Sequence, residues 1–192
     1  MIPSRPALEA AHFVDRLERL VRASEAANDL NPAQWEALRY FVRANRFSRT
    51  PAALADYLVS TRGTISRTLT SLEAKGYLRR GPSSRDGRSV ECFLTAKATK
   101  ALSRDPLTAL AHDIEAACGE DTPALAEGLR STLLTAIARN GGRAFGACFT
   151  CRHFRADVRP DRSAPHHCGL LDEPLSQVES QAICVEQESQ AV

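Results

Sequence analysis

Residues 50–76, TPAALADYLVSTRGTISRTLTSLEAKG, admit few folds. Thr50-Pro51 puts a proline at the first position of a short helix that turns Leu54 and Leu58 inward, and Val59-Ser60 makes a tight turn. Thr61 is placed to cap a second helix, where Ile65, Leu69 and Leu72 recur at helical spacing and form one inward stripe. Gly76 supplies the left-handed residue that closes it. Two short helices joined by so few residues make a helix-turn-helix. The rest of the second helix's surface is Arg62, Thr64, Ser66, Arg67, Thr70, Ser71 and Lys75, with one acid, Glu73. Cations and short hydrogen-bonding side chains together suit a surface that meets a polyanion closely.

The flanks extend the pattern. An amphipathic helix from Leu8 to about Asn28 carries Phe13, Leu17, Leu20 and Val21 on one face. Asn31-Pro32 opens the next helix, with Trp35, Leu38 and Phe41 inward. After Gly76, YLRR and SVECFLT read as strands around GPSSRDGR, whose Asp-Gly is a hairpin signal, so a two-stranded ribbon with a basic tip is expected. A helix begins near Thr95, restarts at Asp105-Pro106 and runs to about Cys118. Thr122-Pro123 starts a last long helix with Leu125, Leu129, Leu133 and Ile137 on one stripe, stopped by Asn140-Gly141-Gly142. The expected division is a first helix over 1–31, a helix-turn-helix lobe over 32–100, two long helices over 101–142 and a cysteine-rich tail over 143–192.

Net charge is only +2, but its distribution is uneven. Nine cations face three acids between residues 60 and 100, whereas four arginines face seven acids from residue 146 onward. A basic middle and an acidic end suggest a polyanion-binding module joined to a part that does not touch the polyanion. The N-terminus, MIPSRPALEAAHF, has no apolar signal core, and no segment nears the ~18 apolar residues of a membrane span. A cytoplasmic protein with no membrane partner is the expectation. No nucleophile–base set and no phosphate-cradling glycine loop is present, so an enzyme is not expected.

Residues 50–95 resemble the winged helix-turn-helix of the MarR family. The helix pair, the closing glycine and the wing's Asp86-Gly87-Arg88 come at that family's spacing, and flanking helices agree over roughly 8–140. The resemblance implies a mainly α fold with a small β-hairpin wing, a winged helix-turn-helix flanked by long dimerisation helices. It also implies a homodimeric transcriptional regulator, a repressor, on a pseudo-palindromic duplex, with a small-molecule effector as a further partner. In that reading Thr64, Ser66, Arg67, Thr70 and Ser71 line the major groove. Arg62, Lys75 and Arg79 meet phosphates, and Arg85 and Arg88 lie at the wing tip, where Asp86 braces the wing or orients Arg88. Phe13/Leu17/Leu20 and Leu129/Leu133/Ile137 are the expected dimer stripes. A rival reading is a metalloprotein, for electron transfer or metal handling, whose winged lobe binds a protein.

Beyond Gly142 the character changes. The spacing Cys148-x2-Cys151-x16-Cys168-x15-Cys184 offers a four-thiolate set. A C-x2-C pair brings two sulfurs to one point across a tight turn, and two further thiolates complete a site for Zn²⁺ or an iron–sulfur cluster. Zinc is the commoner structural ion, while solitary third and fourth cysteines are more at home around a cluster. His153, His166 and His167 could replace a ligand, but are expected beside the site or on the surface. The stretch reads as loop-like and too poor in apolar residues to fold by core alone. Cys92 and Cys118 are expected as small buried hydrophobes. Such a module would sense iron, redox state or metal by repositioning the dimer helices, or merely brace them.

Overall fold

The structure, a computed structural model, describes residues 2–25, 29–83 and 89–188. Its first nine elements are α1 (Arg5–Glu25), α2 (Pro32–Arg43), α3 (Pro51–Tyr57), α4 (Arg62–Ala74), β1 (Leu78–Pro82), β2 (Val90–Leu94), α5 (Ala96–Leu102), α6 (Leu107–Cys118) and α7 (Thr122–Arg139). The helix starts fall where local chemistry puts them. Asn31 and Gln34 form a capping box on α2, and Thr50, Thr61 and Thr95 each accept the N3 amide of α3, α4 and α5. Each such cap stabilises its helix by about 1 kcal/mol. Gly76, at φ 75°, ends α4 in the left-handed region as expected.

Trp35, Leu38, Phe41, Leu54, Ile65, Leu69, Leu72, Leu78 and Cys92 are buried in one core. α2, α3 and α4 pack around it, and the antiparallel pair β1–β2 closes it, in register from Leu78↔Leu94 to Pro82↔Val90. This is a winged helix-turn-helix in a mainly helical chain, the fold expected. The hairpin tip, with Arg85, Asp86 and Arg88, lies outside the described residues.

The long helices behave differently. Among the described residues, α1, α6 and α7 bury no apolar side chain at all. Phe13 is 60% exposed, Leu20 58% and Leu133 59%. Arg39 of α2 ties α1 and the start of α6 to the lobe: it reaches the buried Glu25 at 2.6 Å and Asp105, just before α6, at 2.5 Å. Within the described residues, no helix is long and apolar enough to cross a membrane.

The tail departs from its loop-like reading. It contains β3 (Gly146–Ala147), β4 (Phe154–Arg155), β5 (His166–Cys168), β6 (Glu173–Leu175), α8 (Gln177–Gln181) and β7 (Ile183–Cys184). β3 pairs with β7, and β4–β5–β6 form a small antiparallel sheet. Strands of two or three residues leave no periodicity to read. Their core is also incomplete by itself: Leu175, Cys148 and Cys184 cluster around Phe47, a residue of the winged lobe.

Candidate nucleic-acid interface and thiolate cluster

On α4, burial of Ile65, Leu69 and Leu72 fixes which face points out. Arg62, Thr64, Ser66, Arg67 and Thr70 are exposed on it. Ser66 and Arg67 make no hydrogen bond or ion pair with other described residues, so both are available to a ligand. Thr64 is shared with the cap, its hydroxyl 2.9 Å from that of Thr61. Arg62 pairs with Asp56 at 3.0 Å. The helix's one acid is neutralised: Arg80 donates to Glu73 at 2.5 and 2.8 Å, which holds that carboxyl below its ordinary range. The same guanidinium reaches Thr70 at 3.5 Å.

Two expected contacts are turned inward. Lys75, read as a phosphate contact, donates to Gln34 at 3.2 Å and to the Asp29 carbonyl. Ser71 is half-buried and accepts from Gln34 Nε2 at 2.8 Å. Both occupy the side of α4 that packs on α2, and Gln34, in the first turn of α2, holds both. Arg79 lies over the Phe93 ring at 4.2 Å, exposed beside the hairpin.

The four tail cysteines are brought together. Cys148, Cys151, Cys168 and Cys184 line one pocket with Phe154, Leu170, Leu175 and Glu186. Among the described residues, no group of three or more His, Cys, Asp and Glu side chains is placed so that it could hold a metal ion. The donors around the sulfurs are nonetheless specific. Asn45 Nδ2 donates to Cys148 Sγ at 3.3 Å, and the Glu188 amide to Cys151 Sγ at 3.5 Å. Cys184 is pulled down to about 6 by its hydrogen bond with Cys148 and by Asn45, the Glu186 amide and Ser48. Cys148, the other half of that bond and buried, is pushed up. A sulfur surrounded by N–H donors is better served as a thiolate than as a thiol.

The histidines face elsewhere. His166 is buried, its Nδ1 accepting from the Asp157 amide at 3.2 Å and its Nε2 meeting Gln177 Oε1 at 2.7 Å, so both ring nitrogens are engaged. His153 and His167 lie beside Glu188 and Asp172. Cys92 is fully buried, and burial raises its thiol to about 12. It is expected to resist iodoacetamide at neutral pH in the folded protein; rapid labelling by mass spectrometry would contradict that.

The tail docks on Ala-Asn-Arg-Phe-Ser-Arg-Thr, residues 44–50 between α2 and α3, a segment with no periodic signal in the sequence. The Asn45 amide donates to the Ile183 carbonyl at 3.0 Å, and the Val185 amide to Ser48 Oγ at 2.8 Å. Arg46 forms an ion pair with Glu179 and donates to the Pro174 carbonyl at 2.6 Å. The acidic tail is therefore held by a basic residue of the lobe. Between the lobe, α7 and the tail lies a cleft of about 900 Å³, lined by Tyr57, Leu133, Ile137, Phe145 and Ile183 among others.

Residues 28–89 match the model of the MarR family. No curated protein matches the chain. Among solved structures, wild-type MarR from E. coli is 25% identical, with a TM-score of 0.51 over 70% of this chain and 99% of its own. S. aureus MepR in its DNA-binding conformation is 16% identical, with a TM-score of 0.58 over 70% of this chain and 99% of its own. The S. aureus MepR–DNA complex is 16% identical, with a TM-score of 0.55 over 70% of this chain and 96% of its own. These neighbours are spanned almost whole, yet leave 30% of this chain outside the shared fold. Residues 28–89 thus match that family's model, and the described residues among them form a winged helix-turn-helix.

Proposed function

We propose that the chain is a homodimeric, sequence-specific DNA-binding transcriptional repressor. The observation that carries this reading is the outward face of α4. There Ser66 and Arg67, unpartnered among the described residues, stand over the buried Ile65–Leu69–Leu72 stripe while the helix's only acid is cancelled by Arg80. Short hydroxyls let a helix enter a major groove ~12 Å wide, and arginine reads guanine there bidentately. The similar fold of S. aureus MepR, solved with DNA, supports the same docking. Arg88 and Arg85 at the wing tip would meet the minor groove, with Asp86 orienting the tip.

The exposed apolar stripes of α1 and α7, Phe13, Leu17 and Leu20 with Leu129 and Leu133, supply the dimer face. Two-fold symmetry then requires half-sites about one helical turn (~34–36 Å) apart. The cleft beside Tyr57 and Phe145 has the size and apolar lining for a small-molecule effector. The four tail cysteines form a thiolate site for zinc or an iron–sulfur cluster, supported by their common pocket and by N–H donors aimed at their sulfurs. Its state reports metal or redox conditions to the DNA-reading lobe.

Selection of duplexes from a random pool, followed by fluorescence anisotropy across salt concentrations, tests the DNA reading. Affinity should fall linearly on a log–log plot as counterions are released. Arg67→Ala should cost about 1–3 kcal/mol per half-site and relax specificity at one base position. A protein that ignores every duplex at low salt would overturn the reading and favour a protein partner for the winged lobe.

A further inference from the structure

The tail's sulfurs are not enclosed by the tail alone. Asn45 is fully buried between α2 and α3, and every polar group it has is used. Its Nδ2 points at Cys148 Sγ (3.3 Å), its Oδ1 accepts from Ser48 Oγ (2.8 Å), its carbonyl accepts from the Ser48 amide (3.0 Å), and its own amide holds the strand end at Ile183 (3.0 Å). Ser48, also fully buried, accepts the Val185 amide at 2.8 Å and lies against Cys184. An asparagine N–H is a poor match for a neutral thiol and a good one for a thiolate, because a charged acceptor strengthens the bond. Such donors from outside the ligand set orient metal-bound cysteines.

From this pair the connection runs into the DNA-reading lobe. The Ser48 carbonyl accepts the Tyr40 hydroxyl of α2 at 2.7 Å. The next residue, Arg49, accepts the Cys92 amide of wing strand β2 at 2.8 Å, and the one after, Thr50, caps α3. By contrast, the open cleft separates much of the module from α7.

We propose that Asn45 and Ser48 belong to the thiolate site, and that metal held by Cys148, Cys151, Cys168 and Cys184 is sensed by the α2–α3 segment and wing strand β2 rather than by the dimer helices. This rests on the thiolate reading above. Ligation replaces the thiol protons, which leave to solvent, with a cation. The resulting thiolates lock Asn45 and Ser48, and these fix Arg49 and the strand it holds. Stripping the metal returns weak acceptors, and the segment loosens.

The test uses the full chain, purified anaerobically, stripped by chelation and reloaded with Zn²⁺ alone, with hydrogen exchange read by mass spectrometry. A coloured protein that bleaches on chelation would identify an iron–sulfur cluster, and the comparison is then between cluster-loaded and stripped forms. Loading should slow exchange over 44–49 and 90–94 by up to roughly 100-fold when free metal stands at 100 times its Kd. Exchange along α7 should not change. Asn45→Ala and Ser48→Ala should each weaken metal affinity by about 10–100-fold. Should Asn45→Ala fail to fold, the wild-type comparison and Ser48→Ala still decide. Metal bound with protection confined to 143–188, or with protection appearing on α7, would overturn the coupling and leave the thiolate site standing. A wild-type chain that retains and takes up no metal would overturn both.

Discussion

Replacing Cys184 by serine is expected to empty the thiolate site and release the C-terminal module from the winged lobe. Cys184 ends β7, is almost fully buried, and sits in the cluster with Phe47, Cys148 and Leu175. That cluster is too small to order some 40 residues, each costing about 1–2 kcal/mol of backbone entropy. If the four sulfurs hold a structural zinc, as proposed, it would supply on the order of 10–16 kcal/mol of apparent binding free energy, and loss of one ligand in four would remove much of what holds the module. The lobe's own core, centred on Leu38, Leu54, Leu69 and Leu72, draws Ile183, Phe145 and Val185 from the tail but is otherwise built from residues 30–102, and it should stay folded. Limited proteolysis should therefore cut the variant after Gly142 while residues 29–83 resist, and bound metal should disappear. A variant with wild-type metal content and protease resistance would remove Cys184 from the ligand set.

The double substitution Leu129→Asp, Leu133→Asp should convert the dimer to a monomer. Both leucines are exposed on α7, at 44% and 59%, and α7 buries no apolar residue within its own chain. In a two-fold interface each position counts twice. Four leucines at about 1.5–3 kcal/mol apiece make a loss on the order of 6–12 kcal/mol, before the cost of bringing carboxylates together. The lobe should keep its fold, since neither residue belongs to its core. Operator affinity should collapse toward that of a single half-site. Light scattering and sedimentation decide the matter: an intact dimer would place the interface on other residues.

Much of the winged lobe is written locally. Asn31-Pro32, Thr50-Pro51, Thr61 and Gly76 mark helix ends because a cap or a left-handed glycine needs partners only a few residues away. Ile65, Leu69 and Leu72 announce the buried stripe of α4 by spacing alone, and the stripes of α1 and α7 are equally plain. Their exposure within one chain is what spacing does not show.

Position on α4 was less legible than its existence. Ser71 and Lys75 look no different in sequence from Ser66 and Arg67, and only the packing of α2 turns the first pair toward Gln34. The tail shows the same division. Its cysteine spacing names four sulfurs, but their setting depends on Asn45, Arg46, Phe47 and Ser48, which reach it across more than 100 positions of chain. Polar residues in a seven-residue link between helices carry no periodicity and read as solvent-facing loop.

Caps, stripes and chelating pairs act over short distances, so the helices of the lobe, the hairpin's place, the cationic helix face and the thiol set are legible in the order of residues alone. That the cysteine module rests on the winged lobe shows only in the folded chain, since buried hydrogen bonds between residues far apart leave no trace in local order.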